Sequence, residues 1–84
     1  MSVETHIWDA WQPTEYFLNR MEMRKVPQQE IMATLRTPDE RRLSGSRTVY
    51  QKRFGRKLLR VVAEGDILIT VYKTSRMDKY IEGR

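Results

Sequence analysis

Eight of the sixteen cations in the chain, Arg41, Arg42, Arg47, Lys52, Arg53, Arg56, Lys57 and Arg60, fall within twenty consecutive residues that contain no Asp or Glu. Guanidinium and ammonium groups this dense stabilise negative charge, above all that of phosphate. The first forty residues carry four basic and seven acidic side chains and the last twenty-four carry four of each, so the net charge of +5 originates in this stretch. Such a local stripe concentrates a polyanion at one face, and nucleic acid is the commonest polyanion partner. The plainer alternative is a solvated surface.

Beyond the stretch come Tyr72, Lys73, Thr74 and Ser75. A set of Arg, Lys, Tyr, Ser and Thr suits metal-free RNA cleavage, in which the 2′-hydroxyl attacks its own phosphate and the protein supplies a base, an acid and cations. Tyr ionises near pKa ~10 and Lys near ~10.4, so either serves as a base at neutral pH only where neighbouring arginines depress it. Other chemistries are excluded more firmly. His6 is the one histidine and there is no cysteine, which argues against zinc, non-haem iron, thiolate sites and disulfides. A Ser/His/Asp triad, a carboxylate pair and a phosphate-cradling glycine loop all lack their parts. No metal or cofactor is expected.

Eighty-four residues make one domain, with a thin core because a chain this short buries only about 60–65% of its unfolded surface. Residues 3 to 8 are rich in β-branched and aromatic types and predict a short edge strand. From Thr14 to about Lys25, Phe17, Leu18 and Met21 form a helical stripe. Pro27 opens a second helix, buried through Ile31, Met32 and Leu35 and stopped by Thr37-Pro38-Asp39. Three strands follow, at 47–54, 57–63 and 67–72. The first pair is joined by Gly55-Arg56 as a type II′ turn, the second by a three-residue loop Glu64-Gly65-Asp66. This register sets Ala63 against Ile67, Val61 against Ile69 and Leu59 against Val71 on one apolar face, with Tyr50, Thr48, Phe54 and a snorkelling Lys52. The opposite face collects Arg47, Gln51, Arg53, Arg60, Thr70 and Tyr72, with Val49, Leu58, Val62 and Leu68 among them. Ser75 caps a short C-terminal helix docked through Met77, Tyr80 and Ile81. The expected class is α+β: a short N-terminal strand, two helices, a three-stranded antiparallel meander and a short C-terminal helix.

The order Phe17-Leu18-Asn19-Arg20-Met21, Arg24-Lys25-Val26-Pro27-Gln28-Gln29-Glu30-Ile31, Arg36-Thr37-Pro38-Asp39 and Thr70-Val71-Tyr72-Lys73-Thr74-Ser75, with Lys79-Tyr80 after it, is similar to a family of small uncharacterised microbial domains. That family resembles the RelE/ParE and BrnT-like toxins in layout. The resemblance spans roughly Thr14 to Tyr80. It implies a RelE-like ribonuclease fold, matches Arg20 to the family's helical arginine, and implies an acidic antitoxin protein as partner. Many members carry a histidine near the start of the first helix, where this chain reads Pro13-Thr14-Glu15-Tyr16-Phe17. Without it, catalysis would have to rest on Tyr72 or Tyr80.

Three readings follow. In the first, the chain is a RelE-like, metal-independent endoribonuclease acting on free or ribosome-bound RNA. Arg60 is its central residue and Tyr72, Lys73 or Tyr80 its acid or base, while Arg20, Arg47, Arg53 and Arg76 contact nucleic acid. In the second, the same face binds nucleic acid without cutting it. The third makes the chain an interaction protein whose basic groove accepts an acidic segment, with Trp8 and Trp11 as anchors, although a tryptophan more often caps a small core. No apolar run approaches the roughly 20 residues of a membrane span and no secretory segment opens the chain, so a cytoplasmic location is expected. Ile81-Glu82-Gly83-Arg84 spells a protease site common in tags, and no argument rests on it.

Overall fold

The computed structural model describes residues 8–75. The elements run β1 (Gln12–Pro13), α1 (Glu15–Met23), α2 (Gln28–Arg36), β2 (Glu40–Ser44), β3 (Arg47–Phe54), β4 (Lys57–Glu64) and β5 (Ile67–Thr74). The strands form one five-stranded sheet in the order β1-β5-β4-β3-β2, antiparallel except where β1 lies parallel to β5.

This corrects the expected RelE-like layout of a three-stranded meander. The helices do precede the main strands, but β2 extends the meander at one edge and β1 adds a mixed pairing at the other. Most of the strand expected over residues 3–8 lies outside the described residues, and Trp8 itself belongs to a turn, with Trp11 N–H donating to its carbonyl at 2.9 Å. The helix expected after Ser75 also lies outside them.

Both helices start and stop for local reasons. Thr14 caps α1, its Oγ1 accepting from Phe17 N–H at 3.0 Å and so satisfying one of the donors a helix N-terminus leaves unpaired. At the other end Lys25 turns into the left-handed region at φ 54°, its N–H bonding the Glu22 carbonyl at 3.2 Å while Val26 N–H bonds that of Met21 at 3.0 Å. These are the two closing bonds of a Schellman ending, with lysine where glycine is preferred. Pro27 is the N-cap of α2 rather than its first helical residue. Thr34 is buried in mid-helix because its hydroxyl donates to the Glu30 carbonyl at 2.8 Å.

Each hairpin turns on a glycine followed by one residue: Gly45-Ser46, Gly55-Arg56 and Gly65-Asp66. The glycines have φ of 65°, 63° and 63°, and the residues after them stay at negative φ, which is the type II′ pattern that suits the right-handed twist of the strands. The β3–β4 register therefore agrees with the sequence reading. The β4–β5 loop does not: it holds two residues, and Glu64 pairs with Ile67. A bulge between Val62 and Ala63 then inserts Ile69 as an extra residue of β5, so that Val62 pairs with Thr70, Val61 with Val71 and Leu59 with Lys73. Shorter loop and bulge together shift the register by two beyond the bulge, which keeps Thr70 and Tyr72 on the expected face. Before the bulge the shift is one. Leu68, expected opposite the helices, therefore enters the core, and Ile67 is 43% exposed.

The core lies between the helices and one sheet face. Phe17, Val26, Ile31, Met32 and Leu35 pack on Leu59, Val61, Ala63, Leu68 and Val71, with Trp8, Trp11, Met21, Tyr50 and Phe54 at its margin. Leu18, expected in the stripe, points outward. Lys52 shares the helix-side face, but rather than snorkelling to water its Nζ donates to the Thr37 carbonyl at 2.8 Å, where a cation complements the C-terminal end of α2.

Candidate nucleic-acid interface

The sheet face turned away from the helices carries Arg42 from β2, Gln51 and Arg53 from β3, Leu58, Arg60 and Val62 from β4, and Thr70, Tyr72 and Thr74 from β5, as the register requires. At its centre Arg60 and Tyr72 are direct cross-strand partners. The Arg60 guanidinium lies 5.7 Å from the centroid of the Tyr72 ring, within reach of cation–π attraction. Both residues are half-buried, so the cation is held in place and partly desolvated.

Arg41 is exposed on the edge strand β2, on the helix-side face opposite Tyr50, and the other cations of the stretch divide into two groups. Arg42 is neutralised by Glu40 at 2.8 Å, Arg47 by Glu64 at 3.8 Å and Lys52 by Asp39 at 3.8 Å. Arg53, Arg56 and Lys57 form no ion pair among the described residues, are exposed, and cluster at the β3–β4 hairpin end. Arg53 stands opposite Leu58, which puts it diagonal to Arg60 on the same face, a separation of about 7–8 Å between backbone positions. On this face the exposed cation without a carboxylate partner among the described residues is thus Arg53, with Arg56 and Lys57 beside it at the hairpin end.

Of the expected catalytic residues, the structure brings together Arg60 and Tyr72. Lys73 points the other way, because adjacent strand residues alternate faces, and it pairs with Glu30 of α2 at 2.7 Å. Arg20 lies on α1 with its guanidinium 4.7 Å from the Tyr16 ring, on the helix side of the sheet and remote from Arg60. Arg47 is on β3 at the end away from Arg53. Tyr80 and Arg76 lie outside the described residues. Both tryptophans are half-buried at the margin of the core, Trp8 edge-on to Phe17 at 5.8 Å and Trp11 edge-on to Tyr50 at 5.7 Å.

The sequence offers Asp39 only as part of the stop after α2 and gives its neighbour Glu40 no role. Asp39 accepts the backbone N–H of Arg53 at 2.8 Å and Glu40 accepts from Gln51 Nε2 at 3.1 Å, which joins the start of β2 to β3. No group of His, Cys, Asp and Glu able to hold a metal occurs among the described residues, and none of their helices is long and apolar enough to cross a membrane. Comparison with family models, curated proteins and solved structures finds no match for this chain.

Proposed function

We propose that this domain binds single-stranded RNA through the β3–β4 hairpin end and the Arg60–Tyr72 pair, without cutting it. The observation that carries this reading is the placement of Arg53, Arg56 and Lys57, exposed and with no carboxylate paired to their side chains among the described residues, beside a face where the Arg60 guanidinium lies 5.7 Å from the Tyr72 ring centroid. Exposed cations attract the backbone, and an aromatic ring beside a guanidinium offers a stacking surface to a base. Binding is favoured over cleavage because the acid and base candidates are divided: Tyr72 shares a face with Arg60, whereas Lys73 is held by Glu30 on the other. The toxin reading, with ribosome-bound RNA and an acidic antitoxin, rests on the resemblance alone.

Fluorescence anisotropy with a labelled single-stranded RNA tests the proposal. Affinity should fall linearly in log–log form between about 50 and 200 mM salt, and each phosphate-contacting cation removed should reduce the slope by about 0.7. The triple replacement Arg53→Ala, Arg56→Ala, Lys57→Ala should therefore flatten the dependence. Salt-independent binding, or binding indifferent to the triple replacement, rejects it. New RNA ends that vanish in Arg60→Ala would replace it with the cleaving reading.

A further inference from the structure

Beside the cationic hairpin end, Asp39, Glu40, Gln51, Arg53 and Leu58 line a cavity of about 320 Å³, within the size range of small-ligand sites. Its chemistry differs from that of the surrounding surface. Gln51 is 1% exposed, and its Nε2 donates to Glu40 Oε1 at 3.1 Å. Turning the amide over would set its carbonyl against a carboxylate, so the charge of Glu40 fixes the orientation. Among the described residues Gln51 Oε1 is consequently left as a buried acceptor with no hydrogen-bond partner. The second oxygen of Glu40 is engaged by Arg42 Nε at 2.8 Å. Asp39 spends Oδ2 on the Arg53 backbone N–H at 2.8 Å, and its Oδ1 lies 3.8 Å from Lys52 Nζ, beyond hydrogen-bond length.

The walls therefore combine one buried acceptor in need of a donor, Gln51 Oε1, and the exposed Asp39 carboxylate with one guanidinium and the apolar side of Leu58, itself 2% exposed. The Asp39 carboxylate disfavours a phosphate here, while Glu40 is offset by Arg42. The cavity instead suits a flat, partly apolar group with adjacent N–H donors on one edge and acceptors on the next. Guanine presents this pattern, with N1–H and the N2 amino group on the first edge and O6 and N7 on the second. Adenine and cytosine set a single amino group beside a ring acceptor, and uracil has one N–H between two carbonyls.

We propose that this cavity seats a guanine of single-stranded RNA, with Asp39 and Gln51 accepting from N1–H and the N2 amino group and Arg53 donating to O6 or N7. Unstacked bases of single strands are commonly read on these edges. The proposal rests on the RNA-binding reading and adds to it the identity of one base.

The test uses the full chain and three oligoadenylates that differ at one central position, which holds guanine, inosine or adenine. The guanine RNA should bind roughly ten-fold more tightly than the adenine RNA, with inosine, which lacks the N2 amino group, between them. In Asp39→Asn, whose side-chain carbonyl still accepts the Arg53 N–H, the ratio of guanine to adenine affinity should fall toward one. Because the inosine comparison changes only the RNA, it holds even where the variant fails to fold. Equal affinity for all three RNAs, or a preference unaltered by Asp39→Asn, overturns the guanine site while RNA binding stands. Absence of binding to any of them removes the RNA reading itself. Shifts of the Gln51 side-chain amide on adding acetyl-arginine amide, with none on adding guanosine monophosphate, would assign the cavity to a peptide and overturn the proposal.

Discussion

The guanidinium of Arg60 and the ring of Tyr72 face each other across β4 and β5 at 5.7 Å because the bulge at Ile69 moves β5 into a register in which the two residues are direct partners. Replacing Tyr72 by Leu keeps bulk on the face and removes the π surface. RNA affinity should drop by about 1–3 kcal/mol, the range for loss of one stacked base, while urea denaturation registers only about 0.5–1 kcal/mol for the lost cation–π contact. Tyr72→Phe should retain most of both. Equal losses in binding and stability would mean that Tyr72 only supports the sheet.

Lys25 closes α1 in the left-handed region, at φ 54°. An L residue there costs about 1–2 kcal/mol relative to glycine, and the side chain is exposed. Lys25→Gly should thus stabilise the domain by about 1 kcal/mol, raising Tm by about 4–8 °C in a chain of this size. A lower Tm in a thermal melt would show that the lysine side chain contributes more than the strain.

Gly55 works in the opposite sense. Nothing lies within 4 Å of a Cβ built at this position, yet its φ is 63°. The cost of Gly55→Ala is therefore conformational rather than steric and should reach about 1–2 kcal/mol, with a smaller loss for Gly55→Asn, which tolerates positive φ better. Denaturant midpoints that rank Asn below Ala would contradict the type II′ assignment.

How far the fold could be read in advance follows from how local its signals are. The Gly55-Arg56 turn and the β3–β4 faces were legible because a glycine-first two-residue loop fixes register by itself. The edge strand Glu40-Arg41-Arg42-Leu43-Ser44 was not, since four of its five residues are polar and Leu43 is 80% exposed; an edge strand need not alternate toward a core. Its signal was the spacing of Gly45, Gly55 and Gly65, ten residues apart, which fits strands of eight residues and turns of two. Pairing of Gln12–Pro13 with β5 had no local signature, because a two-residue parallel contact across 55 positions depends on where α1 packs. The basic face was legible as a stripe. Which cations are neutralised was not, because Glu40 and Glu64 reach Arg42 and Arg47 only through the hairpin registers. Asp39 and Gln51 meet for the same reason, twelve residues apart in the chain.

Thr14 joins two elements with one side chain. Its Oγ1 accepts from Phe17 N–H at 3.0 Å and donates to the Leu68 carbonyl at 3.0 Å, so it caps α1 and fastens it to β5 just before the bulge. Thr14→Ala should cost about 1–2 kcal/mol, and Thr14→Ser, which keeps the hydroxyl, far less. Hydrogen exchange is the discriminating measurement: protection should fall at Phe17 and through the first turn of α1. A stability loss without any change in exchange there would assign the threonine a packing role through its methyl group.

Lys73 and Glu30 provide the sharpest separation between cleaving and binding. They meet at 2.7 Å, with side chains 25% and 28% exposed, on the side of the sheet away from Arg60. Removing one partner leaves the other charge partly buried and unpaired, so Lys73→Met and Glu30→Gln should each destabilise, and a double-mutant cycle should return a coupling of about 0.5–3 kcal/mol. RNA affinity and its salt slope should be the same in folded Lys73→Met as in the unaltered protein, since this ammonium faces no part of the proposed interface. A fall in RNA affinity comparable to that of Arg60→Ala would place Lys73 at the RNA surface after all, and would require the strand to present both faces of Tyr72-Lys73 to one ligand.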